Sequence, residues 1–199
     1  MMGHGPSGEA RRTGRSPPGH DIVTAIEITV THLEMRAAPS HHVAPPVNMK
    51  LMLMRAERPE IAFYRYLYDA VGRSYHWIDR KQLGDDQLAA IIHDEHVEVW
   101  IAYVAGQPAG YFEVDARSAP DQVELVYLGL IPAFHGLGLG KWLLSEALRV
   151  CWAREPARVT VQTCTLDGPA ALPLYQKMGF VPYARETRTL TLEVRPPQS

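Results

Sequence analysis

The chain has 199 residues, enough for one domain with a substantial core, or for one domain with an appendage. Apolar residues make up 46% of it and charged residues 21%, as in ordinary soluble globular proteins, and no apolar run is long enough to span a membrane. The formal net charge of −2 gives no general basic field, so we expect a cytoplasmic protein that binds neither nucleic acid nor membrane.

The first part of the chain differs in composition from the rest. Residues 1–20 are rich in Gly, Pro, Ser and Arg, which predicts a disordered lead. Alternating β-branched residues from Ile22 to Met35 predict a strand, and prolines and histidines between Arg36 and Val47 predict a linker. We therefore expect a lead at 1–20, a strand and linker at 21–49, a main domain at 50–194 and a tail at 195–199.

The main domain alternates between patterns typical of strands and of helices. The predicted elements in chain order are a strand at Leu51–Arg55, helices at Ile61–Val71 and Gln82–Ile92, strands at Val97–Val104, Pro108–Val114 and Val123–Ile131, a helix after Gly140, a strand at Val159–Thr165, a short helix at Gly168–Met178, and strands at Val181–Ala184 and Thr187–Val194.

Aromatic residues crowd the first predicted helix and the connection after it. They are Phe63, Tyr64, Tyr66, Tyr68, Tyr75 and Trp77. Such rings pack in a core, but they also suit the wall of a substrate pocket, because each tyrosine and tryptophan has an apolar body and a hydrogen-bonding tip. The sequence leaves both interpretations open.

A glycine-rich turn joins the strand that Pro132 ends to the next helix. Gly136, Gly138 and Gly140 stand at alternate positions, where the absence of a Cβ lets backbone N–H groups approach a ligand. The helix adds unpaired N–H groups and the positive end of its dipole, so the turn suits a phosphate or pyrophosphate. It fits neither the P-loop nor the dinucleotide fingerprint, and it could also be a turn that binds nothing.

Two segments together resemble one family. His135 to Gly140, HGLGLG, resembles the Arg/Gln-x-x-Gly-x-Gly/Ala segment of the GNAT acetyltransferase superfamily, and Ala171 to Phe180, ALPLYQKMGF, resembles the family's A-x-x-L/F-Y-x-K-x-G-F segment. Both occur in the family's order. The resemblance spans about Lys50 to Glu193. It implies a mixed α/β (α+β) GNAT fold, with a central, mostly antiparallel twisted sheet of six to seven strands, about four helices, and here an extra N-terminal strand.

The resemblance also implies acetyl-CoA as co-substrate, no metal, and direct attack of an amine on the thioester. The Leu128 N–H would stabilise the carbonyl oxygen, Glu124 would act as general base and Tyr175 as general acid. The backbone of Leu130 would pair with the pantetheine arm. The residues implied to contact the cofactor are Leu128, Leu130, Ile131, His135, Gly136, Leu137, Gly138, Leu139, Gly140, Lys141 and Tyr175.

Glu124 lies in the central predicted strand. A strict period of two would place Glu124 on one face with Val126, Leu128 and Leu130, and would place Tyr127 on the other. A carboxylate buried unpaired is expensive. Glu124 is therefore either a surface residue in a salt bridge near the strand end or the general base.

Two positions depart from the family pattern. His135 replaces the usual Arg or Gln, so a group that is mostly neutral at pH 7 stands where a cation is common. Gly168 stands where the family often has Asn, so a cofactor contact there must be absent or come from Asp167 or Thr165. Tyr175 has an alternative interpretation as a packed residue under the last helix. As a proton donor to a thiolate it would work uphill by only about 2 kcal/mol.

The two cysteines, Cys151 and Cys164, lack a C-x-x-C pairing and are interpreted as buried free thiols in preference to a disulfide or metal site. Three functions stay open: acetylation of a small-molecule amine or amino acid, acetylation of a protein lysine or N-terminus, and a non-catalytic acyl-CoA-binding regulatory module. The expected partner is a small-molecule amine acceptor, and a homodimer is compatible with such a fold.

Overall fold

The structure is a computed structural model that describes residues 22–194, with side chains described for residues 25–190. The predicted lead at 1–20 and tail at 195–199 lie outside the described residues. The described chain divides into two units, residues 28–188 and a second formed by residues 22–27 with residues 189–194. Residues 51–177, which contain the candidate site, lie entirely in the first unit.

Seven strands and four α-helices are described. They are β1 Ile22–Met35, β2 Leu51–Ala56, α1 Ile61–Gly72, α2 Asp85–Ile92, β3 Val97–Val104, β4 Gln107–Asp115, β5 Val123–Leu130, α3 Leu139–Trp152, β6 Val159–Cys164, α4 Ala171–Lys177 and β7 Val181–Val194. Short 3₁₀ turns occur at Arg73–Tyr75, Asp79–Lys81 and Pro132–Phe134. None of the helices among residues 22–194 combines the length and apolar character needed to cross a bilayer.

The predicted elements are largely confirmed, with three differences. Helix α4 begins at Ala171 rather than Gly168. Helix α2 begins at Asp85 rather than Gln82, because Gly84 is its N-cap and the Gly84 N–H donates to Gln87 Oε1 at 3.0 Å. The two predicted C-terminal strands are one continuous strand, β7. The polar residues Arg185 and Glu186, which suggested an interruption, are exposed residues of that strand.

The strands form one sheet in the order β2-β3-β4-β5-β6-β1-β7. The pairs β2–β3, β3–β4, β4–β5 and β6–β1 are antiparallel, and β5–β6 is parallel. The extra N-terminal strand is confirmed, and it lies inside the sheet, between β6 and β7, rather than beside it.

A β-bulge in β5 reverses the predicted sides of the strand. Glu113 of β4 pairs with Tyr127, but the next residue, Val114, pairs with Leu125, so Val126 is the extra residue. An extra residue shifts the alternation of side chains by one position. The prediction that Glu124 shares a face with Leu128 and Leu130 is therefore wrong, and Glu124 lies on the same face as Tyr127.

Apolar clusters cover the two faces of the sheet. One cluster contains residues of α3 and α4 packed against Phe112, Val114 and Leu125. The other contains α1 and α2 packed against Val99, Ile101 and Tyr111. We call these the α3 face and the α1 face. Because of the bulge, Asp115, Glu124 and Tyr127 all lie on the α1 face.

A buried ion pair fastens the connection between α1 and α2 to the sheet. Glu113 is fully buried on the α1 face, and it accepts hydrogen bonds from Arg80 Nη2 at 2.6 Å and from the Tyr64 hydroxyl at 2.5 Å. The Tyr68 hydroxyl accepts a further bond from the Arg80 N–H at 3.3 Å. The carboxylate raises the pKa of the Arg80 guanidinium against the opposing effect of burial, so Arg80 stays charged.

Removing the Glu113 carboxylate should destabilise the fold. In Glu113→Ala, the Arg80 guanidinium and Tyr64 hydroxyl lose a buried partner, and we expect the free energy of unfolding to fall by about 3–5 kcal/mol. Chemical denaturation measures this. Arg73→Ala is the matched control, because Arg73 pairs with Asp69 on the surface and its loss should cost less than about 1 kcal/mol. Equal losses in the two variants would contradict the structural role of Glu113.

Candidate active site

The site is organised around the separation of two neighbouring strands. β5 and β6 pair over three positions, Val123 to Leu125 against Val159 to Val161. β5 continues to Leu130 and β6 continues to Cys164 without further pairing between them. Because the strands are parallel, both carboxyl ends point the same way and enclose an opening, which we call the β5–β6 cleft.

One edge of β5 directs backbone groups into this cleft. The Ile131 N–H donates to the Ala109 carbonyl at 2.8 Å, so at this position the backbone faces β4. N–H and C=O groups alternate in direction along a strand, so those of Leu128 and Leu130 face away from β4 and into the cleft. These are the two backbone positions that the sequence predicts for the carbonyl oxygen and the pantetheine arm.

The other predicted residue of this strand end, Ile131, is placed differently. Its N–H is bonded to Ala109, and its carbonyl accepts the N–H of Phe134 at 2.9 Å. Both backbone groups therefore serve the turn that follows β5. The structure offers Ile131 to a ligand only through its side chain, which packs on the α1 face.

His135 is exposed, and its ring turns back to the end of β5. Its ring Nε2 lies 3.0 Å from the carbonyl oxygen of Leu130, which accepts the hydrogen bond. The ring thus joins the end of β5 to the start of the glycine turn across the Pro132–Phe134 3₁₀ turn. At this position a neutral histidine can make the bond that the local backbone needs, because one protonated ring nitrogen is sufficient.

The glycine turn is open and has the conformation that glycine favours. Gly136 and Gly138 have φ values of 76° and 78°, and an added Cβ at Gly136 would meet no atom within 4 Å. Gly138 is the N-cap of α3, so the N–H groups of the first turn, from Leu139 through Lys141, have no intrahelical partners. These donors and the helix dipole fit a pyrophosphate.

The side chains of the predicted turn residues point in different directions. Leu137 and Lys141 are exposed, whereas Leu139 is fully buried in the core on the α3 face. Leu139 could therefore serve a ligand only through its backbone. An added Cβ at Gly140 would lie 3.9 Å from Leu130 and 4.0 Å from Leu174, so the turn, β5 and α4 converge here.

Glu124 lies at the narrow end of the cleft, where β5 and β6 still pair. It is half-buried on the α1 face, and Gln162 Nε2 donates to Glu124 Oε1 at 3.2 Å. Asp115 is its cross-strand partner in β4. Among the described residues Glu124 forms no salt bridge, so the predicted surface ion pair is not found there.

The surroundings of Glu124 favour its protonated form. Burial is the main cause that raises its pKa, and the Asp115 carboxylate adds to it. The Gln162 hydrogen bond, His32 and Arg80 act in the opposite direction but are outweighed. A carboxyl group with a raised pKa in a cleft is a candidate for acid–base chemistry.

Tyr175 lies close to the convergence of β5, the glycine turn and α4. It is the residue after Leu174, and its ring packs edge-on against Phe180 with centroids 5.8 Å apart. Only 7% of the residue is exposed. Burial, followed by the Asp167 carboxylate, raises its pKa above the ordinary value, so the phenol stays protonated but is a weaker acid than a free tyrosine.

The aromatic residues divide between the two interpretations. Tyr64 and Tyr68 are core residues with at most 1% exposure. Trp77 and Tyr127 are half-buried, their centroids are 5.0 Å apart, and Trp77 packs over Gly129 of β5. These two rings therefore wall the α1 side of the strand that borders the cleft.

Residues suggested as substitutes for the family's Asn are already engaged. Asp167 Oδ2 accepts hydrogen bonds from the Thr163 hydroxyl at 2.7 Å and the Cys164 N–H at 2.8 Å, and Thr165 Oγ1 accepts from the Thr29 N–H at 3.2 Å. Beside Gly168 stands a ring instead, because an added Cβ there would lie 3.4 Å from Tyr75 Cε1.

Three features of the site escaped sequence reasoning. Gln162 meets Glu124 only because of the β5–β6 register, Glu113 and Arg80 meet across 33 residues, and Tyr75 reaches Gly168 across the cleft. Alternation along β6 places Gln162 on one of the two faces of the sheet, but no signal in the sequence shows which face carries Glu124.

Both cysteines are free thiols in the structure, as predicted. Cys151 is buried and Cys164 is half-buried. Within residues 22–194, no group of three or more His, Cys, Asp or Glu side chains is placed to hold a metal ion.

The raised pKa of Glu124 predicts a pH-dependent effect on stability. The folded state keeps the proton between the ordinary value of 4.5 and the raised pKa, so the parent loses stability as pH rises through that window. Glu124→Gln removes this loss. Its free energy of unfolding, relative to the parent, should therefore increase from pH 3.5 to pH 7, as measured by urea denaturation at each pH.

Asp115→Asn is the control for this measurement, and it should show the opposite trend. Although burial opposes the shift, Arg117 holds the pKa of Asp115 below its ordinary value. Its carboxylate thus stabilises the fold at pH 7, and this stabilisation is lost as pH falls. If Glu124→Gln followed the same trend as Asp115→Asn, the environment assigned to Glu124 would be wrong.

Comparison with known proteins agrees with the fold and with the glycine turn. The sequence model of the "Acetyltransferase (GNAT) family" matches residues 61–180, a segment that runs from α1 to the residue before β7. No curated protein sequence matches the chain significantly.

Solved structures with this fold include a putative GNAT-family acetyltransferase from Novosphingobium aromaticivorans, with a TM-score of 0.58, 16% identity and coverage of 92% of this chain and 71% of that one. An aminoglycoside acetyltransferase from an uncultured soil metagenomic sample, in complex with trehalose, has a TM-score of 0.53 and 14% identity, with coverages of 65% and 87%. A tandem GNAT protein of the clavulanic acid biosynthesis pathway has a TM-score of 0.58 and 18% identity, and the match covers 85% of this chain and 55% of that one. The family match covers more than half of the chain, and the chain belongs to the GNAT acetyltransferase family.

Proposed function

We propose that the protein is an acetyl-CoA-dependent N-acetyltransferase that acetylates a primary amine of a small molecule or amino acid. The observation that carries the proposal is the position of Glu124. A carboxylate with a raised pKa lies at the narrow end of the β5–β6 cleft, and the backbone donors of β5 and the glycine turn line the same opening.

The acyl donor would lie along the edge of β5. The N–H of Leu130 would pair with an amide of the pantetheine arm as a neighbouring strand does. N–H groups from Gly136 to Lys141 would hold the pyrophosphate. The donor supplies an acetyl group activated as a thioester.

Three groups of this chain would then share the chemistry. Glu124, through a water molecule, would take a proton from the incoming ammonium and leave a neutral amine. The Leu128 N–H would donate a hydrogen bond to the acetyl oxygen as the C–N bond forms. Tyr175 would give its proton to the departing thiolate as the C–S bond breaks, and its phenolate would be reprotonated, through water, by the proton that the nitrogen loses as the amide forms.

The environment of Glu124 makes it a better base for this task. A carboxylate with a pKa of about 4.3 removes a proton from an alkylammonium of pKa about 10.4 at a cost of about 8 kcal/mol. Each unit by which burial and Asp115 raise that pKa lowers the cost by about 1.4 kcal/mol. Burial of Tyr175 has the opposite consequence, because it increases the cost of proton donation.

The side chains that cover β5 on the α1 face support a small acceptor. Trp77 and Val71 pack on Gly129, so β5 is shielded where an extended peptide would need an open groove. The structural neighbours include aminoglycoside acetyltransferases, and the Glu124 carboxylate, which has no cationic partner among the described residues, suits a cationic acceptor.

The proposal predicts amine-dependent release of CoA thiol. The purified chain should release thiol from acetyl-CoA with at least one member of a panel of alkylamines, polyamines, amino acids, aminoglycosides and lysine peptides. Glu124→Gln should lower kcat/KM about 10²-fold or more with that acceptor, because an amide cannot accept the proton. Tyr175→Phe should lower kcat to a similar extent.

Each alternative has its own result in this assay. If only the peptide is acetylated, the protein is a protein acetyltransferase. If CoA binds but no amine increases thiol release, it is a non-catalytic acyl-CoA-binding module. A Tyr175→Phe variant as active as the parent would exclude Tyr175 as the acid.

His135 predicts a second result. His135→Arg should stay active, because arginine can still donate to the Leu130 carbonyl and adds a cation near the pyrophosphate turn. Thiol release measures the activity of the variant, and titration with CoA at pH 6 and pH 8 measures its CoA affinity. His135→Ala is the comparison that removes the hydrogen bond. Complete loss of activity in His135→Arg would show that the imidazole has a specific role.

A further inference from the structure

One contact crosses the β5–β6 cleft on the α1 face. Tyr75 belongs to the connection between α1 and α2, and its ring lies against Gly168 in the turn between β6 and α4. A Cβ added to Gly168 would lie 3.4 Å from Tyr75 Cε1 and 3.5 Å from the Tyr75 hydroxyl oxygen. The tyrosine is half-buried.

The neighbours of Tyr75 show where this contact sits relative to the cleft. Trp77, two residues on, lies against Gly129 on the β5 side, and its centroid is 6.5 Å from that of Tyr75. Gly168 follows the end of β6 by four residues. Residues 75–77 thus extend from β5 to the far side of the cleft, near its wide end.

This segment is held firmly enough to act as a wall. An added Cβ at Gly72 would lie 2.5 Å from Trp77, so the indole packs directly on the end of α1. The backbone N–H of Trp77 donates to the Gly72 carbonyl at 3.2 Å. A short distance on, Arg80 is fixed to the buried Glu113.

We infer that Tyr75 closes the wide end of the cleft on the α1 face and thereby determines acceptor size, admitting slim primary amines that enter beside Glu124. This inference rests on the proposed function. Gly168 is the residue against which Tyr75 packs, and any side chain at this position would meet the tyrosine ring.

The test compares Tyr75→Ala and Tyr75→Phe with the parent on acceptors of graded width. Straight-chain primary amines, α-branched amines, benzylamine and a lysine peptide form the series. Tyr75→Ala should raise kcat/KM for the wide amines relative to the straight-chain ones by about tenfold or more, as expected when a pocket gains several methylenes of space. Tyr75→Phe keeps the ring and should keep the parent's order of preference.

A thiol provides a readout that does not need an acceptor. By alternation, Cys164 lies on the same face of β6 as Gln162, and it is half-buried four residues before Gly168, whereas Cys151 is fully buried. In Tyr75→Ala, a bulky maleimide should modify Cys164 several-fold faster than in the parent or in Tyr75→Phe. Cys164→Ser in the same background should abolish the reaction, and cooperative unfolding of each variant in urea checks that it is folded.

The two readouts separate the inference from the proposed function. If no amine supports thiol release in any variant but Tyr75→Ala accelerates modification of Cys164, the proposed function fails and the closure by Tyr75 stands. If amines are acetylated and Tyr75→Ala keeps the parent's size preference, the inference is overturned. An unchanged modification rate together with no acetylation overturns both.

Discussion

The early end of the pairing between β5 and β6 is the constraint on which the site depends. Three residue pairs hold the strands together, and then β5 runs on with one edge unpaired. Backbone N–H groups inside a protein need partners, so the exposed edge of Leu128 and Leu130 is suited to a ligand that carries its own amides. The same separation leaves room for the helix start and the glycine turn to approach from the α3 face.

The acceptor side depends on a different interaction, the buried pair of Glu113 and Arg80. Buried ion pairs contribute little net stability, because the desolvation of both charges offsets their attraction. This pair instead fixes one arrangement of the segment that follows α1, since any displacement of Arg80 would leave Glu113 unpaired at full burial. Trp77 and Tyr75 lie on the segment held in this way, so their positions over the cleft follow from this charge pair.

Local patterns predicted the elements well, and the reasons for the errors are physical. Periodicity and glycine spacing predicted β1, α1, β3, β5 and the turn before α3, because these features are determined by residues close in sequence. The prediction of which β5 side chains share a face was wrong, because a single bulge at Val126 reverses the alternation. Nothing in a run of Leu and Val marks the position of an extra residue. Glu124, placed by the sequence with Leu128, lies instead with Tyr127.

Contacts between distant segments could not be predicted at all. The partnership of Gln162 with Glu124 requires the β5–β6 register, and that of Tyr75 with Gly168 requires two connections to meet across the cleft. The sequence marked Gly168 as a departure from the family, but only the structure shows which ring occupies the space beside it. Sequence analysis therefore predicted more of the residues proposed to hold the cofactor than of those proposed to contact the acceptor.

The place of β1 within the sheet has a consequence for how the chain folds. β1 pairs with β6 from Val30 opposite Cys164 to Met35 opposite Val159, a separation of more than 120 residues, and β7 is even further along the chain. Contacts of such high contact order form slowly, because a long loop must close before they bring any stabilisation. During synthesis β1 is made long before either neighbour, so its β-branched edge stays available to other chains until β6 and β7 have been made.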